Sequence, residues 1–245
     1  MKILNENMLR AALLDRSAKQ YYADEGTFVT PLAREYLRDR GIELVFRPEN
    51  TAKNMPYTPI PDRGEKTYVD FYSGAELAEK PERMTHLFAN RLVDKTHPRI
   101  EFRGKLDTLQ GELILTQTDA HEGGKEQLVR DLGEILSLAR ELLGAEVTGR
   151  PLKEIRLFGY DSDQLRNVSH NVTEHFGFQH PTPSHEMGRL AARLNLLRAK
   201  TREAELAAEH AFAENERGDI LKAMNRLSSA VYILFCRLLA GEYGK

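Results

Sequence analysis

The sequence predicts a mainly α-helical protein, an up-and-down bundle of about five helices that follows a small N-terminal α/β unit. Beyond about residue 84, apolar residues recur at helical spacings of three and four, and glycine-containing turns separate the stretches that carry them. A charged fraction of 29% suits long helices with solvated faces. A chain of 245 residues is also long enough to bury a core without disulfide bonds.

Residues 1–66 are predicted to hold the small α/β unit and a proline-rich linker, and residues 67–245 the helical-bundle domain. A helix starts at Thr30-Pro31, because threonine caps helix N-termini and proline fits the first helical position. This helix is expected to end at Gly41 and to lead into a strand over residues 42–46. Four prolines follow that strand, and their spacing predicts a linker or long loop.

Five later segments are predicted to be amphipathic helices, at roughly residues 98–118, 124–145, 161–176, 186–214 and 219–241. In the fourth segment, apolar and small residues alternate by four and three along one seam, which indicates packing against other helices. In the last segment, polar residues border a similar apolar stripe. Together these segments predict the bundle.

Composition excludes several classes of function. The formal net charge of -2 provides no basic excess for binding nucleic acid or an anionic membrane. The single cysteine, Cys236, excludes a disulfide framework and any cysteine-based zinc or iron–sulfur site. No apolar run is long enough for a signal peptide or a membrane span, so we expect a soluble, cytoplasmic protein.

Histidines recur every five residues in the middle of the chain, at His170, His175, His180 and His185. This period matches neither a helix nor a strand, so the spacing disfavours a four-histidine metal site. Two or three of them can still meet if the chain bends near Pro181 and Pro183. A histidine-based metal protein therefore stays open as an alternative.

Arg198 and Arg202 lie one helical turn apart, on a stripe that continues through Glu205. Two planar guanidinium groups at this spacing are suited to gripping phosphate oxygens. The competing interpretation is a solvated helix face with an ordinary Arg–Glu ion pair. On the last helix, three polar residues at spacings of three and four can bind a ligand or pair with one another: Asn225, Ser228 and Tyr232.

Asp107 is predicted to lie beside an apolar stripe of the first bundle helix. A carboxylate in that position favours a cationic partner, and the arginines of the later helix are candidates.

Three separated motifs occur in order along the chain. The first joins Thr85-His86-Leu87-Phe88 to residues 93–100 and to Gly104-Lys105-Leu106-Asp107-Thr108-Leu109, the second is the RAKTREAE stretch at 198–205, and the third is Asn225-Arg226-Leu227-Ser228. With these motifs, residues 84–242 resemble the ATP:cobalamin adenosyltransferases of the PduO/EutT superfamily. The N-terminal unit is similar to that of the ethanolamine-utilisation branch.

The resemblance implies an enzyme that transfers the 5′-deoxyadenosyl group of ATP to cob(I)alamin, giving adenosylcobalamin for ethanolamine ammonia-lyase and releasing triphosphate. It implies ATP with magnesium and cobalamin as the bound groups, and a flavin-dependent reductase as partner. It also implies a homotrimer with active sites between subunits, and association with a bacterial microcompartment. Because cobalt is the nucleophile, no protein nucleophile is expected, and the sequence contains no G-x-S-x-G motif.

The resemblance also assigns site residues. Arg202, Arg198 and Asp107 would be catalytic, with Asp107 paired to Arg198 across helices or across a subunit boundary. ATP would be bound by Thr85, Lys95, Arg198, Arg202, Glu205 and Asn225, with Glu205 near the magnesium–triphosphate. A hydrophobic residue beneath the corrin would be Phe178, or else Phe176.

Some members of the ethanolamine branch carry a cysteine cluster where this chain has Val69-Asp70-Phe71-Tyr72-Ser73, so no metal bound by protein cysteines is expected. The rival hypothesis is a non-catalytic cobalamin carrier or helical scaffold. Such a protein would have no use for a phosphate clamp of two arginines.

Overall fold

The structure, a computed structural model, describes residues 3–6, 8–9, 20–24, 26–47, 67–212 and 216–244. The chain divides into two compact units, Met1–Asp94 and Lys95–Lys245. The domain boundary predicted after residue 66 adjoins the proline-rich stretch at 48–66, which lies outside the described residues, and that boundary stays a prediction.

The N-terminal part of the first unit is a small α/β arrangement. The helix start predicted at Thr30-Pro31 is confirmed, since the Thr30 side chain accepts a hydrogen bond from the backbone N–H of Ala33 at 3.3 Å. Gly41, at φ +65°, follows the helix in the left-handed region that glycine tolerates. The elements are β1 (Ile3–Leu4) parallel to β3 (Phe28–Val29), β2 (Gln20–Asp24) parallel to β4 (Glu43–Arg47), and α1 (Pro31–Asp39).

A four-stranded sheet that the sequence did not predict completes the first unit. Its strands are β5 (Tyr68–Asp70), β6 (Glu76–Leu77), β7 (Met84–Phe88) and β8 (Arg91–Asp94), in the order β6-β5-β8-β7. The helical periodicity expected from about residue 84 is therefore wrong for residues 84–94. Strands this short contain too few residues to show a clear alternation, and hydrogen bonding to their neighbours is what defines them.

In place of a cysteine cluster, the turn after β5 is built around a carboxylate. One Asp70 oxygen accepts hydrogen bonds from the backbone N–H groups of Tyr72 at 3.1 Å and Ser73 at 2.7 Å, and from the Ser73 hydroxyl at 2.8 Å. This is the local bonding by which aspartate stabilises turns.

The second unit is a helical bundle, and the mainly α-helical prediction is confirmed. Its helices are α2 (Pro98–Glu122), α3 (Glu126–Thr148), α4 (Ser162–His170), α5 (Val172–Phe176), α6 (Arg189–Ala211) and α7 (Gly218–Leu239). A two-strand hairpin, β9 (Arg156–Leu157) and β10 (Tyr160–Asp161), precedes α4. Among the described residues, no helix combines the length and the apolar content needed to cross a lipid bilayer.

Each long helix runs antiparallel to its neighbours. The start of α6 meets the end of α2, where Arg193 Nε lies 2.7 Å from an Asp119 oxygen. The end of α7 likewise meets the start of α3, where Arg237 lies 3.3 Å from Asp131. Helix α2 packs against α3 and α6, and α7 packs against the same two helices. Since α3 and α6 then run in the same direction, the chain needs a long crossover between them, and residues 149–188 provide it.

One of the five predicted helical segments, which lies in the crossover, also needs correction. Residues 161–176 form two helices, α4 and α5, rather than one. The helix start is as expected, because Asp161 and Gln164 form a reciprocal capping box. The interruption lies at Asn171. Its side-chain amide donates to the backbone carbonyl of Asn167 at 3.1 Å and to the side-chain oxygen of Asn167 at 2.8 Å. Asparagine competes in this way with helical hydrogen bonding.

Helix α7 is central to the core. Its buried residues face α3, α6 and α4, so it has more than a single buried stripe. The side chains of α7 that remain at least partly accessible include a polar strip with Asn225, Ser228, Ser229 and Tyr232. The core therefore leaves a strip of polar groups beside α6, where ligand-binding residues were predicted.

Candidate active site

A cavity of about 430 Å³ opens between α4, α6, α7 and the segment that follows α5. Its lining combines two guanidinium groups, two imidazoles and several hydroxyls, from Arg198, Arg202, His170, His180, Ser169, Ser228, Ser229 and Tyr232. None of the described residues that line it carries a carboxylate. A concave surface with cationic and donor groups and no negative charge is suited to a polyanion.

Size alone would select a different cavity. A larger one, of about 630 Å³, lies near the start of α6 and includes Asp119 and Glu122 in its lining. Asp119 is ion-paired to Arg189 and Arg193, both at 2.7 Å, so its neighbouring cations are already neutralised. The charge of the lining, rather than the volume, distinguishes the first cavity, which we call the arginine cavity after Arg198 and Arg202.

The two arginines are presented by successive turns of α6. Arg198 is half-buried, with its guanidinium carbon 5.9 Å from the centre of the Tyr232 ring. Arg202 is exposed, and within the part of the chain that the structure describes it has no ion-pair or hydrogen-bond partner. No ion pair joins either arginine to Glu205, so the described contacts favour the phosphate clamp over the ordinary Arg–Glu pair.

Glu205 and Asn225 are brought together across α6 and α7. The Asn225 amide nitrogen donates to Glu205 Oε1 at 2.8 Å, and its carbonyl oxygen accepts from Arg226 Nη1 at 2.6 Å. The pair lies next to the cavity along both helices, since Glu205 follows Arg202 and Asn225 precedes Ser228 by one turn. Both ends of the amide are occupied, which fixes its orientation.

Arg226 is a residue whose role the sequence analysis missed. Only 7% exposed, it donates from Nε to the Ser162 hydroxyl at 3.0 Å and so links α7 to the start of α4. Among the described residues it has no carboxylate within ion-pair distance. The sequence does indicate that Arg226 is partly buried, because this arginine lies next to the apolar stripe of α7.

The pairing of Asp107 with Arg198 across helices of one chain is not formed. Asp107 is exposed on α2, whereas the Arg198 guanidinium is held over a ring of α7. The pair does not form within one chain because the Asp107 side chain is exposed to solvent beside the apolar stripe. Its pairing across a subunit boundary stays a prediction.

Two predicted ATP-binding residues are not among those that line the arginine cavity. Thr85 is on β7 of the first unit, where it pairs in register with Val93 of β8. Lys95 is exposed on the turn just before α2, a helix whose N-terminus is capped by the His97 ring accepting from the Arg99 N–H at 3.1 Å. Their roles toward ATP stay predictions.

The two candidate corrin residues differ in their environment. Phe176 and Phe178 stack with ring centres 6.1 Å apart and an interplanar angle of 27°. Both rings are partly exposed, but Phe176 packs against the hydrophobic core of the bundle, whereas Phe178 lies on the segment that leads to His180. Phe178 is thus the ring that is freer to meet a ligand.

Of the four regularly spaced histidines, two line the cavity. His170 and His180 line it with Pro181 and Pro183, as a bend at these prolines would allow. His175 instead contacts the Asn167 amide at 3.3 Å, and His185 lies on a short 3₁₀ helix, His185–Met187. Within the described ranges, no three histidine, cysteine or acidic side chains are grouped as a metal site.

The chain is similar to known proteins over most of its length. The family model for cobalamin adenosyltransferases matches residues 77–238. A corrinoid adenosyltransferase EutT from Escherichia coli K12 is 31% identical, over 94% of this chain and 90% of its own length. The corrinoid adenosyltransferase EutT of Salmonella typhimurium is similar to the same degree, 31% over the same shares. No solved structure gives a significant match. The chain therefore belongs to the cobalamin adenosyltransferase family.

Proposed function

We propose that this protein transfers the 5′-deoxyadenosyl group of ATP to the cobalt of reduced cobalamin and releases triphosphate. The observation that carries the proposal is the cavity with both arginines and no carboxylate in its lining, in a chain of this family. In the reaction, cobalt in the +1 state attacks C5′ of the ribose. The cobalt–carbon bond forms as the C5′–O bond breaks, the electron pair leaves with triphosphate, and cobalt becomes +3.

The protein contributes positioning and charge stabilisation to this reaction. Arg198 and Arg202 donate hydrogen bonds to the triphosphate, whose negative charge grows as the C5′–O bond breaks. Donors fixed in place before the reaction stabilise such developing charge strongly. They also hold C5′ in line with cobalt, which removes an entropic part of the barrier.

Glu205 and Asn225 serve the nucleotide beside the clamp. Asn225 binds the nucleoside, with its amide orientation fixed by Glu205 and Arg226. The Glu205 oxygen that does not accept from Asn225 provides a hard ligand of the kind that Mg²⁺ prefers, next to the triphosphate. Thr85 and Lys95 also bind ATP, and Phe178 lies beneath the corrin, where it keeps a lower axial ligand off the cobalt.

We infer a homotrimer with active sites between subunits, in which Asp107 of one subunit pairs with Arg198 of the next. Exposed apolar side chains on the two helices concerned support an oligomer: Ile114 and Leu115 on α2, and Leu196 and Leu206 on α6, with Leu206 71% exposed. The product supplies ethanolamine ammonia-lyase, a flavin-dependent reductase provides the reduced cobalamin, and the enzyme associates with a microcompartment. Resemblance to the ethanolamine-utilisation branch supports this setting.

An anaerobic assay tests the proposal. The protein is mixed with Mg-ATP and chemically reduced cobalamin, and cobalt–carbon bond formation is followed by its spectral change. Wild-type protein should turn over, and Arg202→Ala should lose about 10²–10³ in rate, because one preorganised donor contributes roughly 2–4 kcal/mol.

Arg202→Lys, which keeps the charge without the planar fork, should recover part of that loss. The matched control is Arg140→Ala, which removes an exposed arginine of α3 and should retain full activity. Corrinoid binding without any ATP-dependent turnover by wild-type protein would favour a carrier instead.

A further inference from the structure

Tyr232 joins two groups of the cavity that are far apart in sequence. Its hydroxyl oxygen lies 2.7 Å from Nδ1 of His180, and the two rings stack with centres 5.8 Å apart and an interplanar angle of 13°. The Arg198 guanidinium lies over the same tyrosine ring at 5.9 Å. One side chain of α7 therefore holds a cation of α6 and an imidazole of the crossover in place beside the cavity.

The hydrogen bonds around the Tyr232 hydroxyl have a preferred direction. The hydroxyl also contacts the thiol of Cys236, one turn further along α7. Imidazole nitrogen is a better acceptor than sulfur, so we assign the single hydroxyl proton to the bond with Nδ1 of His180. Burial raises the pKa of Cys236 to about 11 and that of Tyr232 to about 12, so both retain their protons at neutral pH.

This arrangement determines which nitrogen of His180 is left for a ligand. With Nδ1 accepting from Tyr232, the ring hydrogen resides on Nε2. The structure gives that nitrogen no protein partner within the described residues, although His180 lines the cavity with Arg198 and Arg202. An anchored imidazole with one free N–H is a preorganised donor for an anion. His170 also lines the cavity, but no comparable hydrogen bond to another described residue orients its ring.

We propose that His180 is a third phosphate-binding group of the cavity, donating from Nε2 to a phosphoryl oxygen of the nucleoside triphosphate, and that Tyr232 is its positioning residue. The inference rests on the proposed function, since it places the triphosphate of ATP in the arginine cavity. No proton leaves His180 in this role. Its donor stays bound to the oxygens as charge accumulates on the leaving triphosphate.

The probe for this proposal is inorganic tripolyphosphate, whose binding to the full chain is measured by calorimetry. His180→Ala should weaken its binding roughly 10–100-fold, the loss expected for a hydrogen bond to a charged group. His180→Gln, whose amide offers an N–H at a similar reach, should recover part of that affinity. Tyr232→Phe keeps the ring beneath Arg198 and removes only the hydroxyl, so it should weaken binding by roughly 3–10-fold.

Adenosine binding and a matched histidine serve as controls. Adenosine has no phosphate, so its affinity should be the same in wild type, His180→Ala and Tyr232→Phe. His185→Gln changes an exposed histidine that does not line the cavity and should leave tripolyphosphate binding unchanged. In the adenosyl-transfer assay, His180→Ala should raise the KM for ATP or lower kcat, and His180→Gln should restore part of the loss.

Equal tripolyphosphate affinity in wild type and His180→Ala would overturn the proposal. So would a parallel loss of adenosine binding, because that would show a general collapse of the cavity. Wild-type affinity in Tyr232→Phe would remove the positioning role. If wild-type protein binds tripolyphosphate through His180 but does not catalyse adenosyl transfer, the proposed function is contradicted instead. The two failures are thus distinguishable.

Discussion

Phe176 and Phe178 illustrate how neighbouring residues of one type come to have different surroundings. Their rings stack on each other and both are partly exposed, yet Phe176 packs against the bundle core and Phe178 is not part of that packing. The sequence analysis named Phe178 first and Phe176 second as the residue beneath the corrin, and the packing of Phe176 against the core favours the same order. The packing of Phe176 against the core gives that ring a contribution to stability that can be measured separately.

Phe178→Ala should reduce activity with cob(II)alamin supplied through a reductase much more than activity with pre-reduced cob(I)alamin. Cobalt in the +1 state is already four-coordinate, whereas cob(II)alamin without the ring can keep a lower ligand that makes its reduction harder. The two activities are compared in parallel anaerobic assays. Phe176→Ala serves as the control and should lower the free energy of unfolding by about 2–4 kcal/mol through lost core packing. An equal loss of both activities in Phe178→Ala would indicate a packing role.

The only cysteine, Cys236, is a buried thiol with little reactivity. Burial raises its pKa from an ordinary 9.0 to about 11, which favours the protonated thiol over the reactive thiolate at neutral pH. At pH 8 the thiolate fraction should be about 100-fold below that of an ordinary thiol. A disulfide reagent should therefore react with the native protein at least about 100-fold more slowly than with protein in denaturant. Similar rates in the two states would show that α7 opens readily.

At the scale of elements, one ion pair holds together three segments: the end of α3, the start of the crossover and the start of α7. Arg217 donates to both Asp219 oxygens at 2.9 Å, and also to the carbonyls of Ala145 at 3.2 Å and Arg150 at 3.0 Å. Asp219 in turn accepts from the Leu152 N–H at 3.0 Å. The pair thus satisfies backbone groups where three segments meet.

Asp219→Asn should destabilise the bundle by about 1–3 kcal/mol at neutral pH, since it weakens charged hydrogen bonds. The Arg217 hydrogen bonds, aided by Leu152, lower the pKa of Asp219 from 3.8 to about 2. A carboxyl with a depressed pKa in the folded state stabilises it above about pH 4, and this contribution is lost between about pH 4 and pH 2. Urea unfolding should therefore show the wild-type advantage shrinking across that window. The exposed Glu209, changed to Gln, should show no such difference.

At the scale of the whole molecule, the isolated chain leaves Asp107 exposed and without an ion pair among the described residues. The same chain presents exposed apolar side chains on α2 and α6. Both observations are accounted for if subunits associate through these helices and Asp107 meets Arg198 of another subunit. Closed rings of identical subunits use such head-to-tail interfaces, with different surfaces meeting at each contact.

Mixed oligomers test this arrangement. Asp107→Ala and Arg198→Ala should each be nearly inactive alone, but co-expression in equal amounts should restore up to about a quarter of wild-type activity in a ring with random subunit placement. A site is intact when its Asp107 comes from an Arg198→Ala subunit and its Arg198 comes from an Asp107→Ala subunit. A mixture of Arg198→Ala and Arg202→Ala is the control and should restore nothing, because both arginines line the cavity of one chain. Equal recovery in both mixtures would contradict the intersubunit pairing.

Much of the bundle was determined by local sequence patterns. The predicted segments at roughly 98–118, 124–145, 186–214 and 219–241 correspond to α2, α3, α6 and α7. Periodicity of apolar residues defines a helix and its buried side without reference to the rest of the chain. The same spacing placed Arg198 and Arg202 on one stripe, and the motifs around them identified the family.

The tertiary structure decided which of these side chains meet. His180 and Tyr232 are 52 residues apart and touch only because the crossover returns the chain along α7. Sequence patterns suggested that Asp107 and Arg198 pair. Within one chain they do not, because α2 presents the Asp107 carboxylate to solvent. A local pattern specifies the face of an element on which a residue lies. Contacts between elements depend on the connections and packing of the whole chain, and these follow from interactions too distant in sequence for any local pattern to contain.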